Sequence, residues 1–251
     1  MSALLEVSGI SKHFGGLHAV RDVSFSVAPA EVVGILGPNG AGKTTLYNLL
    51  TGFIPPDSGS ILFKGRELRG MAPYRIAGMG ISRTFQLCRP FVGMTVYENV
   101  IVGGLGAHGS GGGALNARAH ALLGQVGLAG KEGLRVEALS YGDQRRLEIA
   151  RALAAKPALL LLDEPFAGLG SGEIADLSGL IRSVHAEEGL TVMLIEHKLR
   201  EFMRLVGRVI ALDFGEIIAE GLPEDIVRHP AVIEAYIGRG DEQSEEHASA
   251  A

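Results

Sequence analysis

Gly37-Pro38-Asn39-Gly40-Ala41-Gly42-Lys43-Thr44-Thr45 decides how the chain is read. It fits G-x-x-x-x-G-K-[ST] without a gap. Val32–Leu36 before it is a short apolar run of buried-strand length, and Leu46–Leu50 after it continues a helix toward Gly52. Gly40 and Gly42 let backbone N–H groups turn inward around a phosphate chain, because no Cβ stands in the way. The helix opening at Lys43 aims its positive dipole end at the same anion. Lys43 is placed to reach β- and γ-phosphates, and the Thr44 hydroxyl to ligate Mg²⁺. A glycine turn that merely joins a strand to a helix is the competing reading, and the Lys-Thr pair speaks against it.

The composition bounds what surrounds this loop. The chain has 251 residues, 47% hydrophobic and 20% charged, enough for a sizeable core and too few charges for a disordered chain. Its 36 glycines are about twice the usual share. The net charge is −5; Asp241, Glu242, Glu245 and Glu246 account for four of these charges, leaving −1 for residues 1–240. A nearly neutral body argues against a nucleic-acid-binding face, and the acidic end from Asp241 to Ala251 reads as a solvated, disordered tail. Cys88 is the only cysteine, so no internal disulfide forms, which suits a reducing compartment. No secretory signal is recognised at the N-terminus, and no apolar run reaches bilayer-spanning length, so a membrane role requires a partner.

In chain order, Leu4–Val7 and Val23–Val27 read as strands, with Lys12–Leu17 between them as a loop. Phe14 in that loop reads equally as a core residue or as a ring to stack on adenine. Pro55–Gly59 is a turn, Ile61–Phe63 a strand, Tyr74–Ala77 a short helix and Ile81–Phe85 a buried strand ending on Gln86. A glutamine there is usually a loop residue; beside a phosphate site it can ligate Mg²⁺ or position water. Thr95 with Glu98 signals a helix start. Gly103–Gly113 is glycine-rich and flexible, and Asn116–Val126 is helical with Ala119, Leu122, Leu123 and Val126 on one face. A mostly helical segment from about Leu87 to Pro157 thus interrupts the strands. Within it, Leu139–Gln144 opens a helix from Arg145 to Ala155, with Arg145, Arg146, Glu148 and Arg151 mostly outside. The Ser-x-Gly at its start is a second potential phosphate cradle.

Leu159–Leu162 is a strand ending at Asp163-Glu164-Pro165. Two adjacent acids there need a cation or a solvent-filled site. Asp163 fits a holder of Mg²⁺, and Glu164 a base that polarises an attacking water. Ile174–Glu187 is an amphipathic helix, and Thr191–Ile195 a buried strand ending at Glu196-His197. A histidine in that place is more often structural, but this is the third strand whose C-terminal end carries a polar residue near the presumed site. Val209–Leu212 and Ile217–Ala219 form a hairpin, followed by short helices from Pro223 to Arg228 and from Ala231 to Ile237.

Five motifs in order resemble the ATP-binding subunit of an ABC transporter, across nearly the full length. Gly37–Thr45 resembles its Walker A loop, Gln86 its Q-loop, Leu139–Gln144 its signature, Leu159–Glu164 its Walker B strand and His197 its switch histidine. Gly80–Gln86, Leu212–Gly215 and Val232–Gly238 are similar to the ATPases of branched-chain amino-acid importers. The resemblance implies an α/β P-loop NTPase core over residues 1–240, with a mainly parallel sheet, an antiparallel β subdomain and an inserted α-helical signature subdomain. It implies that Phe14 stacks on adenine and that Gly37, Pro38, Asn39, Gly40, Ala41, Gly42, Lys43, Thr44 and Thr45 wrap the phosphates of ATP. It also implies that Thr44, Gln86 and Asp163 arrange Mg²⁺, Glu164 activates water, His197 contacts the γ-phosphate, and Ser140 and Gly142 reach ATP held by an opposite subunit. The implied partners are a second copy or a paralogous ATPase, integral membrane permease subunits gripped in a groove beside the Q-loop, and indirectly a periplasmic solute-binding protein. The implied place is the cytoplasmic face of the inner membrane. A lipid or lipopolysaccharide exporter ATPase is the nearest alternative, a soluble non-transport ABC ATPase the next, and a P-loop kinase or GTPase switch a third class. Gly170 departs from the family's Asn or Asp and lacks the side chain that relays between the two sites. Gly103–Gly113 stands where relatives carry a longer charged segment.

Overall fold

In the computed structural model, which describes residues 3–105 and 112–237, a long antiparallel pair opens the chain. β1 (Leu5–Phe14) and β2 (Leu17–Val27) both run further than their apolar stretches suggest. Lys12–Leu17 is therefore a strand end and a tight turn, where the sequence reads as a loop. The pairs His13↔His18 and Phe14↔Leu17 carry the ladder up to Gly15-Gly16, and Gly15 takes a φ of 58° there. Register shifts along β1 break the apolar alternation, which is why the sequence pattern ends early. After β3 (Val32–Leu36) leaves for a second sheet, β4 (Ser58–Phe63) and β5 (Arg66–Glu67) complete a four-stranded antiparallel sheet in the order β2-β1-β4-β5.

The second sheet carries the site. Its order is β10-β9-β3-β8-β7-β6, from β6 (Ile81–Arg83), β7 (Leu159–Asp163), β8 (Thr191–Ile195), β9 (Arg208–Asp213) and β10 (Glu216–Gly221). All neighbours are parallel except β10, which returns antiparallel along β9. Both faces are covered, so β7 is buried along its whole length. Residue parity sorts the two cores. Val33, Ile35, Leu159, Leu161, Met193 and Ile195 share one core with Leu46, Tyr47, Leu49 and Leu50 of α1 (Lys43–Leu50). Leu36, Leu160, Leu162, Val192 and Leu194 face the other. Each such leucine contributes roughly 1.5–3 kcal/mol by burial. α7 (Leu199–Leu205) lies on β3 because position 34 is glycine; a Cβ there would stand 2.2 Å from the Phe202 ring.

Between β6 and β7 in the sequence come α3 (Val96–Gly104), α4 (Gly112–Gln125) and α5 (Tyr141–Ala154), which pack on one another. Thr95 and Glu98 form the expected capping box on α3. Ala119, Leu122, Leu123 and Val126 are buried, as their spacing predicts. α5 begins at Tyr141, ahead of the expected Arg145, because the Ser140 hydroxyl accepts from Asp143 N–H at 3.2 Å and caps the helix there. β6 stops at Arg83, short of the expected Phe85, since the Phe85 N–H is taken by the Glu148 carboxylate instead of a neighbouring strand. α2 (Pro73–Gly78), α6 (Ser171–Glu188), α8 (Pro223–Ile226) and α9 (Pro230–Ile237) complete the described elements. Most of the glycine-rich stretch (106–111) and the acidic tail (241–251) lie outside the described residues. No helix among the described residues is long and apolar enough to cross a membrane.

Candidate functional site

The three glycines of the phosphate-type loop have different tasks. A Cβ on Gly37 would come within 2.3 Å of the Leu212 carbonyl oxygen, and one on Gly42 within 2.3 Å of the Ala19 carbonyl oxygen. Both allow close backbone approach. Gly40 has open space around it but a φ of 80°, so there the backbone conformation is the constraint. Lys43 opens α1, is buried, and donates from Nζ to the Gly37 and Pro38 carbonyls at 2.6 and 2.9 Å. Thr44 and Asn39 are exposed, Thr45 half-buried and Ala41 buried. Two supports come from the C-terminal part of the chain. Gly37 N–H donates to the Tyr236 hydroxyl on α9 at 3.2 Å, and Gly215 N–H donates to the Ala41 carbonyl at 3.1 Å.

β6, β7 and β8 lie side by side, and the residues after their ends meet. Gln86 Nε2 donates to Glu164 Oε2 at 2.9 Å, and His197 Nε2 stands 2.9 Å from Glu164 Oε1. Glu164 sits at φ 49°, a left-handed conformation that costs a non-glycine residue roughly 1–3 kcal/mol. Its N–H donates to Ile195 O at 3.0 Å and holds it there. The buried Glu196 carboxylate accepts from Phe166, His197 and Lys198 N–H at 2.6, 2.8 and 3.1 Å. It fastens the loop after β7 to the loop after β8. Asp163, 2% exposed, pairs through Oδ2 with Arg83 Nη2 at 2.7 Å. Burial pushes its carboxyl above the usual carboxylate range, against the Arg83 charge; Glu164 adds to the rise and Lys43 opposes it, so the loop and the strand ends share one field.

Phe14 is 48% exposed, which removes the core reading and leaves a ring open to stacking, with Lys12 Nζ 5.7 Å from its centroid. Ser140 and Gly142 are held on α5. A Cβ on Gly142 would meet Glu173 Oε1 at 2.3 Å, and one on Gly168 would meet the Tyr141 ring at 2.9 Å. Glu173 also accepts from Gly170 N–H at 2.9 Å. These contacts tie the α5 start to the loop after β7 rather than to Gly37–Thr45. One sheet edge thus gathers the loop, Gln86, Asp163, Glu164 and His197, while Ser140 and Gly142 belong to a separate helix start.

Arg145 and Glu148 overturn the expectation of a solvated α5 face. They are 2% and 5% exposed and pair at 3.2 Å. Arg145 donates to the Phe85 carbonyl at 2.9 Å, to the Gln86 carbonyl and to the Tyr141 hydroxyl at 2.9 Å. Glu148 accepts from Phe85 N–H at 3.0 Å, and burial pushes its carboxyl upward. Cys88, close to Glu148, is pushed up to about 11, first by burial and then by that carboxylate. Arg146 and Arg151 keep partial solvent contact. The i,i+3 spacing of opposite charges was the only sequence signal for the buried pair. Glu196 and Arg83 gave none.

The oxygen donors Thr44, Gln86 and Asp163 fit Mg²⁺, which is held by one or two protein oxygens together with substrate phosphates. Among the described residues there is no cluster of three or more His, Cys, Asp or Glu side chains that could hold a metal ion. Beside the Gln86 loop runs a cleft of about 490 Å³, lined by Phe53, Tyr74, Arg83, Phe85, Arg89 and Phe91 among others. Phe53, Tyr74 and Phe91 expose large apolar surface at it.

The family described as ABC transporter matches residues 20–167, and one described as branched-chain amino acid ATP-binding cassette transporter matches residues 216–242. The chain is 41% identical over 249 residues to the high-affinity branched-chain amino acid transport ATP-binding protein LivG of Escherichia coli K12, covering 94% of this chain and 98% of that one. It is 41% identical over 250 residues to the corresponding protein BraF of Pseudomonas aeruginosa, with the same coverage. A crystal structure of the ADP conformation of an ATP-binding cassette of an ABC transporter superposes with a TM-score of 0.87 at 31% identity, covering 95% of this chain and all of that one. A dimeric ATP-binding cassette in a post-hydrolysis state, bound to ADP and Pi, superposes with a TM-score of 0.78 at 25% identity, covering 87% of this chain and 98% of that one.

Proposed function

This chain belongs to the ABC transporter family and is an ATP-hydrolysing cassette, and we propose that it energises the import of branched-chain amino acids as half of an ATPase dimer docked on membrane permease subunits. The single observation that carries the reading is the hydrogen-bonded set Gln86–Glu164–His197 beside the Gly37–Thr45 loop. The C-terminal match and the names of LivG and BraF favour import over lipid export or a soluble role.

The residues divide the work. Gly37–Thr45 wraps the phosphates with backbone N–H groups, and Lys43 exchanges its carbonyl partners for phosphate oxygens. Phe14 stacks on adenine. Mg²⁺, held by Thr44, Gln86 and Asp163 directly or through water, neutralises phosphate charge when bound. Glu164 accepts the proton of the attacking water, giving up one of its two present partners to do so. His197 and Gln86 orient that carboxylate and the γ-phosphate side. Ser140 and Gly142 complete the site of the other chain in a head-to-tail dimer; a solved relative is dimeric. The second chain is a copy of this one or a paralogue, and the helical segment at about 87–157 forms the signature subdomain. In this reading the apolar cleft beside Gln86 receives cytoplasmic helices of the permease, and the chain works at the cytoplasmic face of the membrane with a periplasmic binding protein on the far side.

Purified protein is expected to hydrolyse ATP only with Mg²⁺, and Glu164→Gln to accumulate as an ATP-bound dimer in size-exclusion chromatography. Full turnover by Glu164→Gln would remove the assigned base. Reconstituted with its permease, the complex is expected to drive uptake of labelled leucine and isoleucine; uptake of neither, with hydrolysis intact, would redirect the substrate.

A further inference from the structure

Residue parity puts Arg83 and Asp163 on the same face of the sheet, since Arg83 pairs with Leu161 across β6 and β7. The Arg83 side chain has two ends of interest. Its Nη2 holds the Asp163 carboxylate by one oxygen at 2.7 Å, and its Nη1 donates to Asn48 Oδ1 of α1 at 2.7 Å. The guanidinium also lies over two rings, Tyr47 at 5.5 Å and Phe85 at 5.1 Å. Phe85 in turn meets Phe53 edge to face at 5.8 Å, and Phe53, Arg83 and Phe85 all line the cleft. Two buried polar atoms of this cluster, Arg83 Nε and Tyr47 Oη, have no hydrogen-bond partner. Orphaned buried groups are costly and uncommon, which sets this cluster apart from the rest of the core.

We propose that Arg83 is a positioning residue that couples the cleft to the metal-holding carboxylate, setting where Asp163 sits according to how Phe53 and Phe85 are packed. The inference rests on the reading above, in which Asp163 takes part in holding Mg²⁺ and the cleft receives a partner. Arginine suits the task because its planar fork binds carboxylate and amide oxygens at once while its face stacks on a ring. A lysine supplies only the charge. The pair is one solid connection across about one side chain's length, with Asp163 at one end and the cleft wall at the other.

The chain has no tryptophan, so Phe53→Trp provides a single reporter in the cleft. The full-length protein is titrated with a fluorescent ATP analogue, first with chelator and then with rising Mg²⁺. Arg83→Met is expected to keep the metal-free affinity within about twofold and to need about tenfold more Mg²⁺ for the metal-dependent gain, the loss of one charged hydrogen bond. Arg83→Lys is expected to fall between. In Phe53→Trp, Mg²⁺ added to the ATP-bound protein shifts the emission with the same midpoint as the affinity gain, and Arg83→Met in that background abolishes the shift. An unchanged Mg²⁺ midpoint in Arg83→Met, or an emission shift that survives it, overturns the inference. If the parent protein neither binds the analogue nor responds to Mg²⁺, the functional reading fails instead. Intact metal-free binding shows that each variant is folded.

Discussion

Two helix starts in this molecule use the same materials and reach different ends. α1 begins at Lys43 after a glycine loop, and α5 begins at Tyr141 after a serine. At the first, the chain supplies both the supports of the loop and the side chains that converge beside it. Leu212 and Ala19 pack against its glycines, Gly215 and Tyr236 support its backbone, and Asp163, Glu164, Gln86 and His197 converge from neighbouring strand ends. At the second, the chain supplies a foundation but no counterpart. Glu173 packs under Gly142, Tyr141 covers Gly168, and Arg145 ties the helix to the Gln86 loop. The first is half of a chemical site; the second is a rigid edge offered outward. That difference is why one chain is an incomplete enzyme in the proposed dimer.

The largest expected effect separates chemistry from assembly. Glu164→Gln should lower turnover about 10²–10⁴-fold, the range for a general base, while leaving the α5 start untouched and the ATP-bound dimer trapped. A variant that lost dimerisation along with turnover would blur the two ends into one. Next is the link between them. With its thiol pushed up to about 11, Cys88 should be alkylated by iodoacetamide at pH 8 about a hundredfold more slowly than an exposed cysteine, because raising the pKa removes thiolate at a given pH. Arg145→Ala removes a charge that itself lowers the Cys88 thiol, so the faster reaction expected in that variant reports opening of the buried cluster, and a slower one would mean that α5 does not hold the Gln86 loop. Third, Lys43→Ala should weaken ATP binding by the isolated chain about 10–100-fold, whereas Ser140→Arg should leave it within about twofold and still remove hydrolysis. Equal losses of binding would place both helix starts on the same nucleotide. The smallest effect concerns backbone strain at the first end. Glu164→Gly should be more stable than Glu164→Ala by about 1 kcal/mol in urea unfolding, because only glycine is at ease at φ 49°.

Much of the first end was legible in the sequence, since each of its parts follows an apolar run. Val32–Leu36, Leu159–Leu162 and Thr191–Ile195 announce buried parallel strands; the glycine loop follows the first, and Glu164 and His197, which meet, follow the other two. The supports were not legible. Arg145 and Glu148 look like a solvated face because a charged helix residue is usually exposed, and only the three-dimensional approach of Phe85 and Gln86 pays for burying them. Glu196 reads as half of a Glu-His pair, yet its three backbone partners come from two loops far apart in sequence. The extent of β1 and β2 was hidden by their irregular register. Gly170, noted as a missing side chain, is held by Glu173, three residues on, which no motif comparison foretells.

Mixing two inactive variants tests the shared-site account most directly. Lys43→Ala and Ser140→Arg are each expected to be without ATPase activity, but a mixed dimer contains one pocket with an intact Lys43 and an intact Ser140 from opposite chains. An equimolar mixture should therefore recover about a quarter of the parental turnover by random pairing. A mixture as silent as its components, or Ser140→Arg alone turning over at the parental rate, would contradict it.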